Sequence, residues 1–223
     1  MTTSSEKLRV LALHGYYQSN TIFSGKLGSL RKSFKQKVDF IFAQAPHVVP
    51  PHQFDNEENE VDGRGWWFNT EDHIFKATVP SNLSVCFEES VKVIEKIFEE
   101  QGPFDGILGF SQGASFVSIL CSMQQKKISP IKFNFAIMIS GFKSLCAPHA
   151  VFYDEQINLP SLHVYGESDK IIPIEMATDL ANLFINKKVV IHEGGHFVPG
   201  KKHIYNDFIN EMYTAKNVTL QNK

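Results

Sequence analysis

Apolar positions along the chain fall into two alternating rhythms. Compact apolar runs at Leu8–Leu13, Val38–Phe42, Phe104–Leu108, Phe133–Ser140, Ser161–Tyr165 and Val189–His192 predict strands, and runs this short and continuous suit parallel strands covered on both faces. Between them the apolar residues spread to helical spacing. Ile22, Phe23, Leu27, Leu30 and Phe34 form one stripe of a helix within 19–36, and Leu83, Phe87, Val91, Ile94 and Phe98 form another, capped by Ser81 or Asn82 and stopped by Gly102-Pro103. Phe116, Val117, Leu120 and Met123 mark a third, a fourth runs from Pro173 through Phe184, and a fifth spans about 202–212 before a polar tail over 215–223. Residues 143–158 show no clear period beyond room for a short helix. Strand-helix alternation of this kind predicts a doubly wound, mostly parallel α/β sheet flanked by helices, with right-handed crossovers.

One segment breaks the rhythm. From about residue 47 to 65, Pro50-Pro51 and the acidic run Asp55, Glu57, Glu58, Glu60 and Asp62 argue against regular structure. Loops of that length in compact domains are usually functional or disordered, so a lid-like role is expected. The segment leads into Trp66-Trp67-Phe68, which reads equally as an acyl-chain wall and as an anchor in the core.

Composition narrows the setting. The 223 residues, 43% hydrophobic and 21% charged, suffice for one buried core, so a single domain over 1–223 is expected. A net charge of -2 gives no field favouring nucleic acid or an anionic membrane, and no apolar stretch reaches transmembrane length. The polar N-terminal residues carry no signal-peptide core, and three cysteines without C-x-x-C spacing suit a reducing compartment. A cytoplasmic, possibly nuclear, location is expected, with no metal or organic cofactor; the oligomeric state is left open.

The candidate chemistry sits just past predicted strands. Gly109-Phe110-Ser111-Gln112-Gly113 follows one strand and opens a helix, the context in which a G-x-S-x-G turn exposes its serine as a nucleophile. Asp169 follows a later strand and precedes Pro173, with Glu167 as the competing acid; His196 follows the last strand after Gly194-Gly195, with His192 as its main competitor. Serine, acid, histidine is the chain order of α/β-hydrolases, and strand ends of a parallel sheet share one edge. His196 would take the Ser111 proton and Asp169 would orient the imidazole. The backbone N–H groups of Gln112 and of Tyr16, in the turn after the first strand, are the expected oxyanion donors. Trp66, Trp67 and Phe197 are the expected substrate contacts.

Jointly, Leu13-His14-Gly15-Tyr16, Arg64-Gly65-Trp66-Trp67-Phe68, Gly102 to Gly106, Gly109 to Ala114, Ile139 to Phe142, Asp169 to Pro173 and Gly194 to Pro199 resemble the small eukaryotic serine hydrolases of the α/β-hydrolase superfamily. The resemblance is nearest to their ovarian-cancer-associated esterase branch. It implies carboxylester hydrolysis, with longer alkyl chains preferred, and sets Ser111, Asp169 and His196 on the family's triad. A thioesterase acting on acyl-protein or acyl-CoA substrates is the alternative within the same chemistry. Two readings from other classes compete. Gly195 to Lys201 nearly spells a phosphate-binding loop, but Lys202 stands where Ser or Thr would hold magnesium and Pro199 removes an amide donor. A silent interaction module that kept the fold is the other.

Overall fold

The computed structural model describes residues 5–50 and 63–221. Six strands form one parallel sheet: β1 (Leu8–Leu13), β2 (Val38–Ala43), β5 (Gly106–Phe110), β6 (Phe135–Ile139), β7 (Ser161–Gly166) and β8 (Lys187–His192), in the order β2-β1-β5-β6-β7-β8. A two-stranded antiparallel ladder, β3 (His47–Val48) with β4 (Arg64–Gly65), closes the base of the segment between them. The inner part of the expected lid, residues 51–62, lies outside the described residues.

Strand alternation divides the core in two. Leu11, Leu13, Ile107, Ala136 and Met138 face α3 (Phe87–Gln101), α4 (Gln112–Gln125) and α5 (Ile174–Ala181), together with Trp66 and Trp67. Leu8, Val10, Ala12, Leu108, Phe110, Ile137 and Ile139 face the other way, onto α1 (Asn20–Lys26), α2 (Gly28–Phe34) and α6 (His203–Gln221). A sheet with both faces covered needs continuous apolar strands, and β5 and β6 are buried at every position. This is the α/β-hydrolase fold in compact form.

Three expected boundaries moved. The single helix predicted over 19–36 is two, α1 and α2, meeting at Leu27 between Gly25 and Gly28, the two residues of least helix propensity in the stretch. Its apolar stripe survives the break, because Phe23, Leu27, Leu30 and Phe34 are all buried. The second helix starts at Phe87, not after Ser81 or Asn82. Ser81 instead donates its hydroxyl to Asn69 O and accepts the Leu83 amide, while Phe68 and Val85 exchange backbone hydrogen bonds in an isolated bridge just before the helix. The last helix runs on to Gln221 through most of the expected polar tail. Its polar residues are engaged: Lys216 Nζ reaches Asp105 Oδ2 at 2.9 Å and Lys7 O at 2.8 Å, and the Asn217 side chain bonds both the amide and the carbonyl of Glu6. Among the described residues no helix is long and apolar enough to cross a membrane.

Two buried imidazoles make this fold acid-sensitive. Burial pushes His149 down to about 4 and, aided by the Lys187 charge, His163 down to about 3. Both folded values lie below the unfolded value near 6.5, so below that pH the unfolded chain binds protons that the folded chain refuses. Stability is therefore fully present above about pH 6.5 and falls towards pH 4 by up to roughly 1.4 kcal/mol per pH unit for each imidazole. Urea unfolding at pH 7 and pH 5 will show this loss, and His149→Gln will flatten the dependence. A free energy independent of pH across that window would contradict it.

Candidate active site

β1 and β5 are neighbours in the sheet although β2, β3 and β4 separate them in sequence. After β1 the chain moves outward to β2, then returns through α3 to β5 and continues in the other direction. Such a reversal of strand order opens a crevice at the carboxyl ends of the two strands, where ligands bind in open α/β sheets. Gly15 follows β1 there, and Ser111 follows β5.

Ser111 is held at φ 53° and ψ −118° between β5 and α4, a backbone region costly for a residue with a Cβ. The glycines around it make the turn possible. A Cβ on Gly109 would lie 2.4 Å from Gly113 O, and one on Gly113 would lie 2.4 Å from both Leu13 O and His14 O. The elbow is thus pressed against the end of β1. Ser111 N donates to Ile139 O at 2.9 Å, which ties the turn to β6 as well.

The three side chains selected from the sequence meet in one hydrogen-bonded line. His196 Nε2 lies 2.9 Å from Ser111 Oγ, and His196 Nδ1 lies 2.7 Å from Asp169 Oδ2. The other oxygen, Asp169 Oδ1, accepts the amides of Ile171 and Ile172 at 2.9 Å each, so the carboxylate is fixed at both ends. Its side chain is 1% exposed and that of His196 17%. With the carboxylate accepting at Nδ1, the imidazole carries its proton there and presents a lone pair to Ser111. Glu167, the competing acid, is exposed, and its amide bonds His192 O. His192, the competing base, accepts the Gly194 amide at Nδ1, and burial lowers its pKa. Its ring packs against Phe197 at a tilt of 49°, centroids 5.1 Å apart. The loop that nearly spells a phosphate cradle is the arm carrying His196, and its Pro199 carbonyl accepts the Tyr205 hydroxyl.

The turn after β1 is braced from several sides. Gly15 N–H donates to Gln18 Oε1, so the next amide along the turn is that of Tyr16. A Cβ on Gly15 would lie 3.3 Å from Ser111 Cβ, which places this backbone directly against the serine. Gln112 is the first residue of α4, where an amide has no intrahelical acceptor.

Two side-chain roles at the site escaped the sequence. The Gln112 side chain is fully buried; its Oε1 accepts Trp66 N at 2.9 Å and its Nε2 donates to Trp67 O at 2.8 Å. His14, also fully buried, accepts the Ala45 amide at Nε2 and donates from Nδ1 to Gly15 O, while its carbonyl accepts Trp66 Nε1 at 2.8 Å. Side chains with these partners lock the Trp66-Trp67 backbone to the elbow and to the β1 turn. The only signal in the sequence is their adjacency to Ser111 and Gly15.

The expected substrate contacts separate. Both indoles are fully buried, with Trp66 against Phe116 and Trp67 against Phe75, Phe87, Phe116 and His149. In this conformation they offer no open face to a substrate; they pack as anchors, which is the bland half of the sequence reading. Phe197, next to His196, is 48% exposed.

Known proteins resemble this chain in sequence and in fold. Esterase OVCA2 of Danio rerio is 41% identical over 225 residues, covering 94% of this chain and 99% of that protein, and Esterase OVCA2 of Homo sapiens is 33% identical over 92% and 96%. Among solved structures, esterase PE8 superposes with a TM-score of 0.64 at 21% identity over 93% of this chain and 94% of that one. Zea mays acyl-protein thioesterase 2 gives 0.64 at 15% identity over 94% and 95%, a likeness of fold. The serine hydrolase (FSH1) family model matches residues 1–208, and the chain belongs to that family.

Proposed function

We propose that this serine hydrolase cleaves uncharged carboxylic esters of medium to long alkyl chains, with Ser111 as nucleophile, His196 as general base and acid, and Asp169 as the orienting carboxylate. The observation that carries the reading is the continuous hydrogen-bonded line from Asp169 Oδ2 through His196 to Ser111 Oγ. Ser111 Oγ attacks the acyl carbon as its proton passes to His196 Nε2, and the carbonyl becomes an oxyanion held by the amides of Tyr16 and Gln112. Each such donor contributes on the order of 3 kcal/mol in sites of this kind. His196 then returns the proton to the departing alkoxide, leaving an acyl-serine and an alcohol. A water molecule, deprotonated by His196, attacks the acyl carbon and frees the carboxylic acid, with the proton returning to Ser111. Protein groups alone complete the proton cycle. Three unpaired cysteines fit action in a reducing, cytoplasmic setting.

Support for an alkyl substrate comes from exposed apolar side chains close in sequence to two triad residues. Phe197 adjoins His196 and Ile171 lies two residues past Asp169; they are 48% and 57% exposed. Burying alkyl carbon against them adds about 0.8 kcal/mol per methylene, so kcat/KM should climb a few-fold with each added carbon until the surface is covered. A series of p-nitrophenyl esters from two to twelve carbons will show this climb, and Phe197→Ala will flatten it for long chains while leaving the acetate little changed. A profile that falls with chain length would sink the alkyl part of the proposal. Oxygen and thiol esters of one acyl chain, assayed in parallel, distinguish an esterase from a thioesterase.

A further inference from the structure

β8 is the last strand of the sheet, and half of its backbone polar groups point away from it. Ser161 donates its amide to Asn186 O and Glu167 donates to His192 O, so even-numbered residues in this stretch turn their N–H and C=O groups towards β7. Period-two alternation then directs those of Lys187, Val189 and Ile191 to the open edge. Natural sheets usually blunt such an edge with lysine or other charges, proline or a bulge, and here the charges within β8 sit only at its start, Lys187 and Lys188. Here the ladder is unbroken from Lys187 to His192, contains no proline, and leaves Val189 and Ile191 40% and 51% exposed.

The same alternation puts the side chains of Lys187, Val189 and Ile191 on one face, and the exposed Glu193 directly follows the strand's last residue, His192. Lys188 takes the opposite face, where its ammonium pairs with Glu211. Read along the chain, Lys187, Val189, Ile191 and Glu193 run cation, apolar, apolar, anion, an order complementary to its own reversal. An antiparallel copy centred on Val190 sets Val189 against Ile191 and Lys187 against Glu193, twice each by symmetry. Backbone chemistry selects the same register. In an antiparallel ladder, hydrogen-bonded pairs must join outward-facing residues to outward-facing residues, and the Val189–Ile191 pair does. A slip of one residue breaks that match, and a slip to a centre at Val189 sets Lys187 against Ile191. Lys187 Nζ is available to change partner, since its contact with Phe184 O is 3.4 Å, at the long limit of a hydrogen bond, and Glu193 is exposed.

We propose that the protein forms a two-fold dimer in which β8 pairs antiparallel with β8 of a second copy, joining the two six-stranded sheets into one. The occupant is a second copy because its edge carries the reversed charge order at the required spacing.

Sedimentation equilibrium of the full chain tests this, with a mass near twice 25.3 kDa expected. Val189→Pro removes an amide that faces the edge and none that bonds β7, so it should give a monomer with unchanged circular dichroism and ester turnover. Lys187→Glu and Glu193→Lys each place like charges opposite one another twice and should weaken dimerisation by about tenfold. An equimolar mixture of those two variants should restore it, because each then meets the opposite sign across the strand pair. A monomeric wild type up to about 100 µM, where interfaces even of the weak class associate, overturns the proposal. So does a dimer indifferent to the charge reversals and their mixture, a readout that holds even if Val189→Pro fails to fold.

Discussion

Replacing Ser111 with alanine will lower kcat for ester hydrolysis by on the order of 10⁵–10⁶-fold while leaving the fold intact. The hydroxyl makes one hydrogen bond at its tip, to His196 Nε2, and removing it leaves His196 fixed by Asp169. Alanine keeps the Cβ, so it bears the same strain at φ 53° as serine and neither relieves nor adds to the cost of the elbow. The thermal midpoint should accordingly move by no more than a few degrees, with urea unfolding and circular dichroism unchanged. Reaction with a fluorophosphonate, which esterifies an activated serine, should vanish in the same variant. Residual turnover above the water rate is expected from the oxyanion amides and substrate binding. Turnover or probe labelling equal to wild type would end the assignment of Ser111 as nucleophile.

The parts of this site that were legible in the sequence are those encoded locally. A strand ending at Phe110 and a helix opening at Gln112 require a sharp turn, and a sharp turn puts Ser111 at the sheet edge whatever the rest of the chain does. The same holds for Asp169 before Pro173 and for His196 after two glycines. Residues whose roles depend on where a distant segment lands were not legible. Gln112 was read through its backbone alone, since nothing near it in the chain shows that Trp66 N and Trp67 O will arrive within 3 Å of its amide. His14 was read as part of a turn for the same reason. Trp66 and Trp67 carry the composition of a substrate wall and of a core equally well, and only the packing of Phe87 and Phe116 around them separates the two.

The misplaced boundaries have the same origin. Helical spacing reaches back to Leu83, yet Phe68 pairs with Val85 across the chain, and that bridge delays α3 to Phe87. Residues 215–221 look like a solvated tail because their neighbours in sequence offer only helix-internal carbonyls, as Tyr213 O does to Asn217 and Ala215 O to Thr219. Their partners, Glu6, Lys7 and Asp105, lie more than a hundred positions away. Local propensity reads strands, turns and their chemistry; tertiary hydrogen bonds decide where helices begin and end.

Asp169→Asn isolates what the carboxylate does for the histidine. The side chain keeps its size, and its carbonyl oxygen can still accept the Ile171 and Ile172 amides, so the loop should hold its position. The second atom changes from an acceptor to an NH₂ donor facing His196 Nδ1 at 2.7 Å. A donor there favours the imidazole tautomer protonated on Nε2, which points a hydrogen at Ser111 where a lone pair is needed. It also withdraws the negative charge that stabilises the imidazolium during acylation. kcat should fall by about 10⁴-fold, equivalent to roughly 5.5 kcal/mol of barrier, with the thermal midpoint nearly unchanged. Asp169→Ala should behave differently, because it leaves the two amides without an acceptor and costs about 1–3 kcal/mol of stability in addition to activity. A pair of variants equal in stability loss, or an asparagine variant with more than a tenth of wild-type turnover, would mean that Asp169 only shapes the loop. The asymmetry between its two oxygens, one spent on the backbone and one on the imidazole, is what makes the two substitutions separable.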